Sequence, residues 1–141
     1  MALFALSLGA CASKTSAPQP LTGADLDILQ AMLEGQTNPN VDVAAVDRRF
    51  SSLDLGARGR PIRAAGPAGQ RAYLARLRCS DGRAPSFRRI GNYGEGVYGN
   101  IIDGYDVRCV DAEPAQLILF LDMYHSGYVE NDAPPGFTIT P

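Results

Sequence analysis

Hydrophobic residues change their spacing near the middle of this chain, and this change restricts the fold more than any other feature. Between residues 22 and 50 they recur every three or four positions, which is the spacing of a helix packed against a core. After residue 73 they alternate with polar residues or form short apolar runs, a pattern typical of strands. Helices followed by a block of strands predict an α+β fold.

The helical part contains two segments. Apolar residues recur at helical spacing over 22–35, behind a threonine of the type that caps helices. A shorter segment covers 43–50. It follows Asp42 and ends with Arg48 and Arg49, charges that the helix dipole favours at these ends. We therefore expect two N-terminal helices.

The second half of the chain predicts an antiparallel sheet of about four strands. Apolar alternation and short apolar runs place these strands at 73–79, 87–92, 98–110 and 116–124. Between 51 and 70 glycine and proline are too frequent for a regular element, so this segment is expected to be a long loop.

Length and composition indicate a single globular domain. The chain has 141 residues, of which 45% are hydrophobic and 20% are charged. A chain of this length can bury one core, and the composition excludes a disordered tail or a fibre. No uncharged apolar run approaches the roughly 18 residues of a membrane-spanning helix, so we do not expect an integral membrane protein.

The first ten residues are uncharged and mostly apolar, as in the hydrophobic region of a signal peptide. The four residues Leu8-Gly9-Ala10-Cys11 resemble the lipobox of bacterial lipoproteins. The resemblance implies that residues 1–10 are a signal peptide and that Cys11 is lipidated. Residues 11–20 would then form a flexible tether and 21–141 a single α+β domain.

The same resemblance implies a location. A lipid on Cys11 would anchor the protein to a membrane of the bacterial cell envelope. In enteric lipoproteins an aspartate after the lipidated cysteine resembles an inner-membrane retention signal. Here Ala12 and Ser13 follow the cysteine instead, which favours the outer membrane, on the side that faces the periplasm. The alternative is that residues 1–10 form a buried strand or helix of the domain and that Cys11 is a core residue.

Two cysteines remain if Cys11 carries lipid, and the periplasm is oxidising. Because the number of remaining cysteines is even, we predict a disulfide between Cys79 and Cys109. A redox function would need a Cys-x-x-Cys pair or an activated thiol, and these cysteines are 30 positions apart. The structural role is therefore the expected one.

Charge is distributed unevenly along the chain. Residues 48–89 contain eleven arginines and two acidic residues, whereas residues 90–141 contain one arginine and eight acidic residues. The arginine-rich segment 48–89 could face a partner that carries phosphate or carboxylate, or the two halves could pair with each other. A net charge of −2 lacks the basic excess of nucleic-acid-binding domains, so no nucleic-acid partner is expected.

A glycine- and tyrosine-rich stretch lies at 91–99. It contains Gly-x-Gly-x-x-Gly, but a strand-like segment follows instead of the helix that a dinucleotide site requires. We expect no cofactor and interpret the stretch as a hairpin turn. An exposed loop of this kind can bind a partner through its aromatic rings, which makes Tyr93, Glu95 and Tyr98 the predicted binding loop.

The single histidine stands in an acidic neighbourhood. Asp122, His125 and Glu130 are residue types that suit general acid–base catalysis, so they are the candidate catalytic residues of a small periplasmic hydrolase. A triad of Ser126 and His125 with Asp122 or Asp103 is disfavoured because neighbouring side chains point apart on a strand. One histidine supplies too few nitrogen or sulfur ligands for zinc, so no metal is expected.

A further alternative comes from Ser126-Gly127-Tyr128, which is similar to the Ser-Gly-x-x-Tyr loop of periplasmic lysozyme inhibitors. The likeness implies an inhibitor of a foreign enzyme. The sequence on balance favours a non-catalytic, lipid-anchored binding or interaction module, with an envelope protein or a glycan as its partner.

Overall fold

A computed structural model describes Thr22, Gly23, Leu26 and residues 38–141. This part of the chain has an α+β fold with two helices and a mixed sheet of five strands. The predicted signal peptide, the tether and Cys11 lie outside the described residues, as does most of the predicted helix 22–35.

The described part of the chain contains two helices and seven strands. The helices are α1 (Val43–Phe50) and α2 (Gly66–Arg76). The strands are β1 (Ile62–Ala65), β2 (Leu77–Arg78), β3 (Ser86–Glu95), β4 (Ile101–Arg108), β5 (Gln116–Asp122), β6 (Tyr124–Val129) and β7 (Thr138–Ile139). The large sheet has the order β3-β4-β5-β1-β6, and β2 pairs with β7 in a small second sheet. No helix in this part of the chain is long and apolar enough to cross a membrane.

The prediction of an antiparallel sheet is right for β3, β4 and β5 and wrong for β1. β1 inserts between β5 and β6, where it runs parallel to β5, with Ile62 opposite Leu121, and antiparallel to β6. The predicted loop 51–70 therefore contains a central strand and the start of a helix. Glycines and prolines on either side of β1 concealed it, since the strand itself has only four residues.

The predicted strand 73–79 is also wrong over most of its length, because residues up to Arg76 belong to α2. Proline in the first turn favours the start of this helix. Gln70, Tyr73 and Leu74 are its buried residues, and their spacing of three and four positions is that of a helix face. The alternation of tyrosine, alanine and leucine from residue 73 concealed this face.

The core lies between α2 and the large sheet and includes Ile62, Leu74, Leu77, Val107 and Leu121, each with 0% exposure. The predicted disulfide is present. Cys79 follows β2 and Cys109 follows β4, and their Cα atoms are 6.0 Å apart. Both cysteines belong to the core, so the bond joins the small sheet to the large one from inside the domain.

Candidate functional site

The candidate catalytic residues Asp122 and His125 are brought together at the end of β5 and the start of β6. The Nε2 atom of His125 lies 3.2 Å from Oδ2 of Asp122, and the two side chains are 3% and 0% exposed. Asn100 donates from Nδ2 to Oδ2 of Asp122 at 3.1 Å, and the Tyr124 amide donates to Oδ1 at 3.0 Å. The aspartate is thus held by three neighbours inside the domain.

Tyr98 covers this pair. Its ring meets the His125 ring edge-on, with centroids 5.0 Å apart, and Tyr98 is itself buried. Its hydroxyl donates to Oδ1 of Asp47 at 2.6 Å. Burial, and secondarily this bond to Asp47, raises the pKa of Tyr98 well above its usual range. Both side chains are almost fully buried, so a substrate could reach neither Asp122 nor His125 without displacement of the residues packed on them.

Glu130, the third candidate catalytic residue, has its own set of contacts. It accepts a hydrogen bond from the Tyr128 hydroxyl at 3.2 Å and from the amides of Asn131 and Asp132. Asp103, the other aspartate considered for a triad, accepts from Arg89 at 2.7 Å. It lies opposite Leu121 of β5, so its side chain leaves the face of the sheet opposite to that of Asp122. No group of three histidine, cysteine, aspartate or glutamate side chains suited to a metal ion occurs among the described residues.

Next to the buried pair lies a polar cavity of about 160 Å³, and Arg63 is one of its lining residues. Nη2 of Arg63 is 3.1 Å from Oδ2 of Asp47, and its guanidinium stacks over the Tyr128 ring at 3.9 Å from the centroid. The arginine side chain is 16% exposed and Asp47 is 39% exposed. Other polar side chains that line the cavity are Arg60, Tyr98, Glu130 and Asp132.

Two further cavities adjoin this one. An apolar recess of about 160 Å³ lies between α2 and β1, lined by Ala64, Ala65, Gly69 and Ala72, and it shares Arg63, Tyr128 and Glu130 with the polar cavity. An open cavity of about 460 Å³ lies on the other side, and it shares Leu55, Arg60 and Asp132. We call these three cavities together the Arg63 groove. Its open part, of about 460 Å³, is within the size range of ligand pockets, whereas the polar cavity and the apolar recess are each smaller.

The predicted binding loop has a different geometry from the one expected. Tyr98 points into the domain, so it cannot present its ring to a partner. Tyr93 packs edge-on against Phe120, with ring centroids 5.1 Å apart, and its carbonyl accepts from Arg58. Of the three predicted residues, only Glu95 is exposed. A left-handed backbone at Gly94 and Gly99 turns the chain back on itself, and this folds the two tyrosines inward.

Ser126-Gly127-Tyr128, the tripeptide that is similar to an inhibitor loop, lies within strand β6. Ser126 and Gly127 are exposed, but Tyr128 is half-buried beneath Arg63. The tripeptide therefore does not protrude as a loop in this structure.

Many arginines of segment 48–89 pair within the domain. Four form ion pairs: Arg63 with Asp47, Arg83 with Asp81, Arg88 with Asp106 and Arg89 with Asp103. Arg76 donates to the carbonyls of Thr140 and Glu130. The ion pairs of Arg88 and Arg89 and the hydrogen bonds of Arg76 join this segment to the second half of the chain, whereas Arg63 and Arg83 pair with aspartates outside that half.

Comparison with protein-family models, with curated proteins and with solved structures finds no match for this chain. The function is therefore argued from the geometry of the site. Sequence reasoning missed Asp47 and Arg63, because the first lies on a short helix and the second on the strand hidden in the predicted loop. Their charges alone did not distinguish them from the other acidic residues and arginines.

Proposed function

We propose that this protein is a non-catalytic binding module of the bacterial cell envelope, anchored by a lipid on Cys11 and facing the periplasm from the outer membrane. The motif Leu8-Gly9-Ala10-Cys11 supports the anchor and the location. The Arg63 groove replaces the glycine- and tyrosine-rich loop as the proposed ligand site.

One observation carries the preference for binding over catalysis. The only histidine and its aspartate lie buried under Tyr98, whereas the neighbouring Arg63 groove is open and lined with charged and aromatic side chains. General acid–base catalysis requires a side chain within hydrogen-bond reach of the substrate. The buried pair acts instead as a support for Tyr98, which forms one wall of the groove.

Co-sedimentation tests this proposal. The full-length protein, purified from membranes in mild detergent, would be mixed with insoluble, lipid-free cell-wall material or with envelope proteins immobilised on beads. We expect it to bind one of the two fractions. Glu130→Gln should weaken binding because it removes a carboxylate of the groove, whereas Glu95→Gln, the matched change in the predicted loop, should not.

The hydrolase and inhibitor alternatives give different results. A hydrolase would release soluble products from one of these fractions, and His125→Gln would abolish that release. An inhibitor would slow the digestion of cell wall by added lysozyme, and Tyr128→Ala would remove the effect. Loss of binding in Glu95→Gln but not in Glu130→Gln would show that the ligand binds at the glycine- and tyrosine-rich loop and not in the Arg63 groove.

A further inference from the structure

We infer that the Arg63 groove binds an uncharged glycan chain that carries N-acetyl groups. This inference rests on the proposed function, and it names the chemistry of the ligand within the envelope. Three properties of the groove support it: its charge balance, its apolar recess and the irregular strand at its edge.

Side chains of both charges line the polar cavity. Three carboxylates, from Asp47, Glu130 and Asp132, occur there with two guanidinium groups, from Arg60 and Arg63, and Arg63 pairs with Asp47. Any ligand with a strong net charge would meet like charges at short range, which is unfavourable in a partly buried site. Hydroxyl groups both donate and accept hydrogen bonds, so an uncharged polyhydroxylated ligand can use carboxylates and guanidinium groups together.

The apolar recess is suited to bind a small apolar group of the same ligand. Short residues, Ala64, Ala65, Gly69 and Ala72, form one part of its lining. Tyr73, Arg76 and Val129 contribute to the rest, together with the residues shared with the polar cavity. It borders the polar cavity at Arg63, Tyr128 and Glu130, which line both. An acetamido group suits this boundary, because its methyl can enter the recess while its N–H and C=O remain among polar groups.

An extended peptide fits the groove less well. Peptides that bind beside an edge strand add to its hydrogen-bond ladder. β6 is the edge strand here, but its pairing with β1 shifts register between Ala64 and Ala65, and Gly127 has a φ of 71°. Such an irregular edge does not offer a regular ladder to an added strand.

Isothermal titration with three tetrasaccharides tests the inference. They are the β-1,4 tetramer of N-acetylglucosamine, the glucose tetramer, which lacks the acetamido group, and the deacetylated tetramer, which is cationic. We expect the full-length protein to bind the N-acetylated chain about tenfold more tightly than the glucose chain, since a buried methyl and one further hydrogen bond together contribute about that factor. The cationic chain should bind no better than the glucose chain.

Ala72→Leu locates the acetyl group, with Ala75→Leu as its control. Both alanines are exposed on α2, and only Ala72 lines the recess. Ala72→Leu should lower the affinity for the N-acetylated chain more than the affinity for the glucose chain, so that the tenfold preference is lost. Ala75→Leu should change neither. A merely structural effect would lower both affinities together.

The outcomes separate this inference from the proposed function. Equal affinity for the N-acetylated and glucose chains, or a preference that survives Ala72→Leu, would overturn the ligand class. The ligand class would also be overturned if the protein bound none of the three sugars but still sedimented with envelope proteins in a Glu130-dependent way. The proposed function would then stand. Failure to bind sugars, cell wall and envelope proteins would overturn both.

Discussion

Arg63 lines the proposed ligand groove and also connects three elements of the fold. One nitrogen pairs with Asp47 of α1, and the flat face of the guanidinium covers the Tyr128 ring of β6. Lysine could replace the charge but not the planar stacking, because an ammonium group is a compact point charge. This residue therefore links α1, β1 and β6 on the side of the domain where the groove lies.

Tyr93 and Gly104 show a similar dependence between two single residues. The Tyr93 ring lies directly over Gly104 on β4, and a Cβ atom added at Gly104 would collide with that ring. We expect Gly104→Ala to lower the free energy of unfolding by about 1–3 kcal/mol, the usual cost of overpacking. Urea unfolding monitored by circular dichroism would measure the change.

A double-mutant cycle checks the cause. In a Tyr93→Ala background the obstructing ring is absent, so the same Gly104→Ala change should cost much less. An undiminished cost would mean that the glycine is needed for its backbone and not for the ring above it. The cycle also tests whether Tyr93 packs on the sheet in solution or extends as the predicted binding loop requires.

At the scale of elements, Asp106 ties three neighbouring strands together. From its position on β4 its carboxylate accepts from Arg108 on the same strand at 3.0 Å and from Gln116 of β5 at 2.8 Å. Arg88 of β3 lies 3.5 Å away. The hydrogen bond from Arg108 is the largest of the effects that hold the pKa of Asp106 below its usual range.

The lowered pKa of Asp106 predicts how stability depends on pH. The folded state binds this proton less readily than the unfolded state, so stability rises with pH through this region. The contribution is complete above the ordinary carboxyl pKa of about 4 and is lost as pH falls through the lower pKa of the folded protein. We expect wild type to lose more stability than Asp106→Asn between about pH 6 and pH 3.

Urea midpoints at the two pH values measure this difference. Asp111→Asn is the control, because Asp111 is an exposed aspartate beyond the end of β4, at a left-handed position that asparagine tolerates. An equal acid loss in wild type and Asp106→Asn would show that the three-strand contact contributes nothing to the acid sensitivity.

The elements also show what sequence patterns can and cannot predict. The predicted strands 87–92, 98–110 and 116–124 overlap β3, β4 and β5, because these consecutive strands pair with their neighbours in the chain. β1 has only four residues, and its partners are distant in sequence, so no local pattern reports its parallel pairing with β5. Arg63 lies on β1 and lines the groove, so its role could not be predicted from spacing alone.

At the scale of the whole molecule, the disulfide closes a loop that contains β3 and β4. Cys79 and Cys109 are 30 positions apart, and a loop of that length corresponds to about 3–4 kcal/mol in the chain-entropy treatment. We expect the Cys79→Ala, Cys109→Ala double variant to be less stable by about 3 kcal/mol in urea. If reduced and oxidised wild type unfold at the same urea concentration, the bond contributes nothing to stability.

The location of the whole molecule depends on Cys11, which lies outside the described residues. Lipidation predicts that the protein expressed from Met1 loses residues 1–10, gains acyl mass and fractionates with membranes, because several acyl chains give stable anchoring. Cys11→Ser should remove the acyl mass and most of the membrane association, and intact-mass spectrometry of each fraction measures both. A full-length, unmodified and soluble wild-type chain would contradict the anchor and remove the argument for an oxidising compartment. The Arg63 groove would remain, since none of its residues depends on the lipid, but its ligand would then have to be sought outside the envelope.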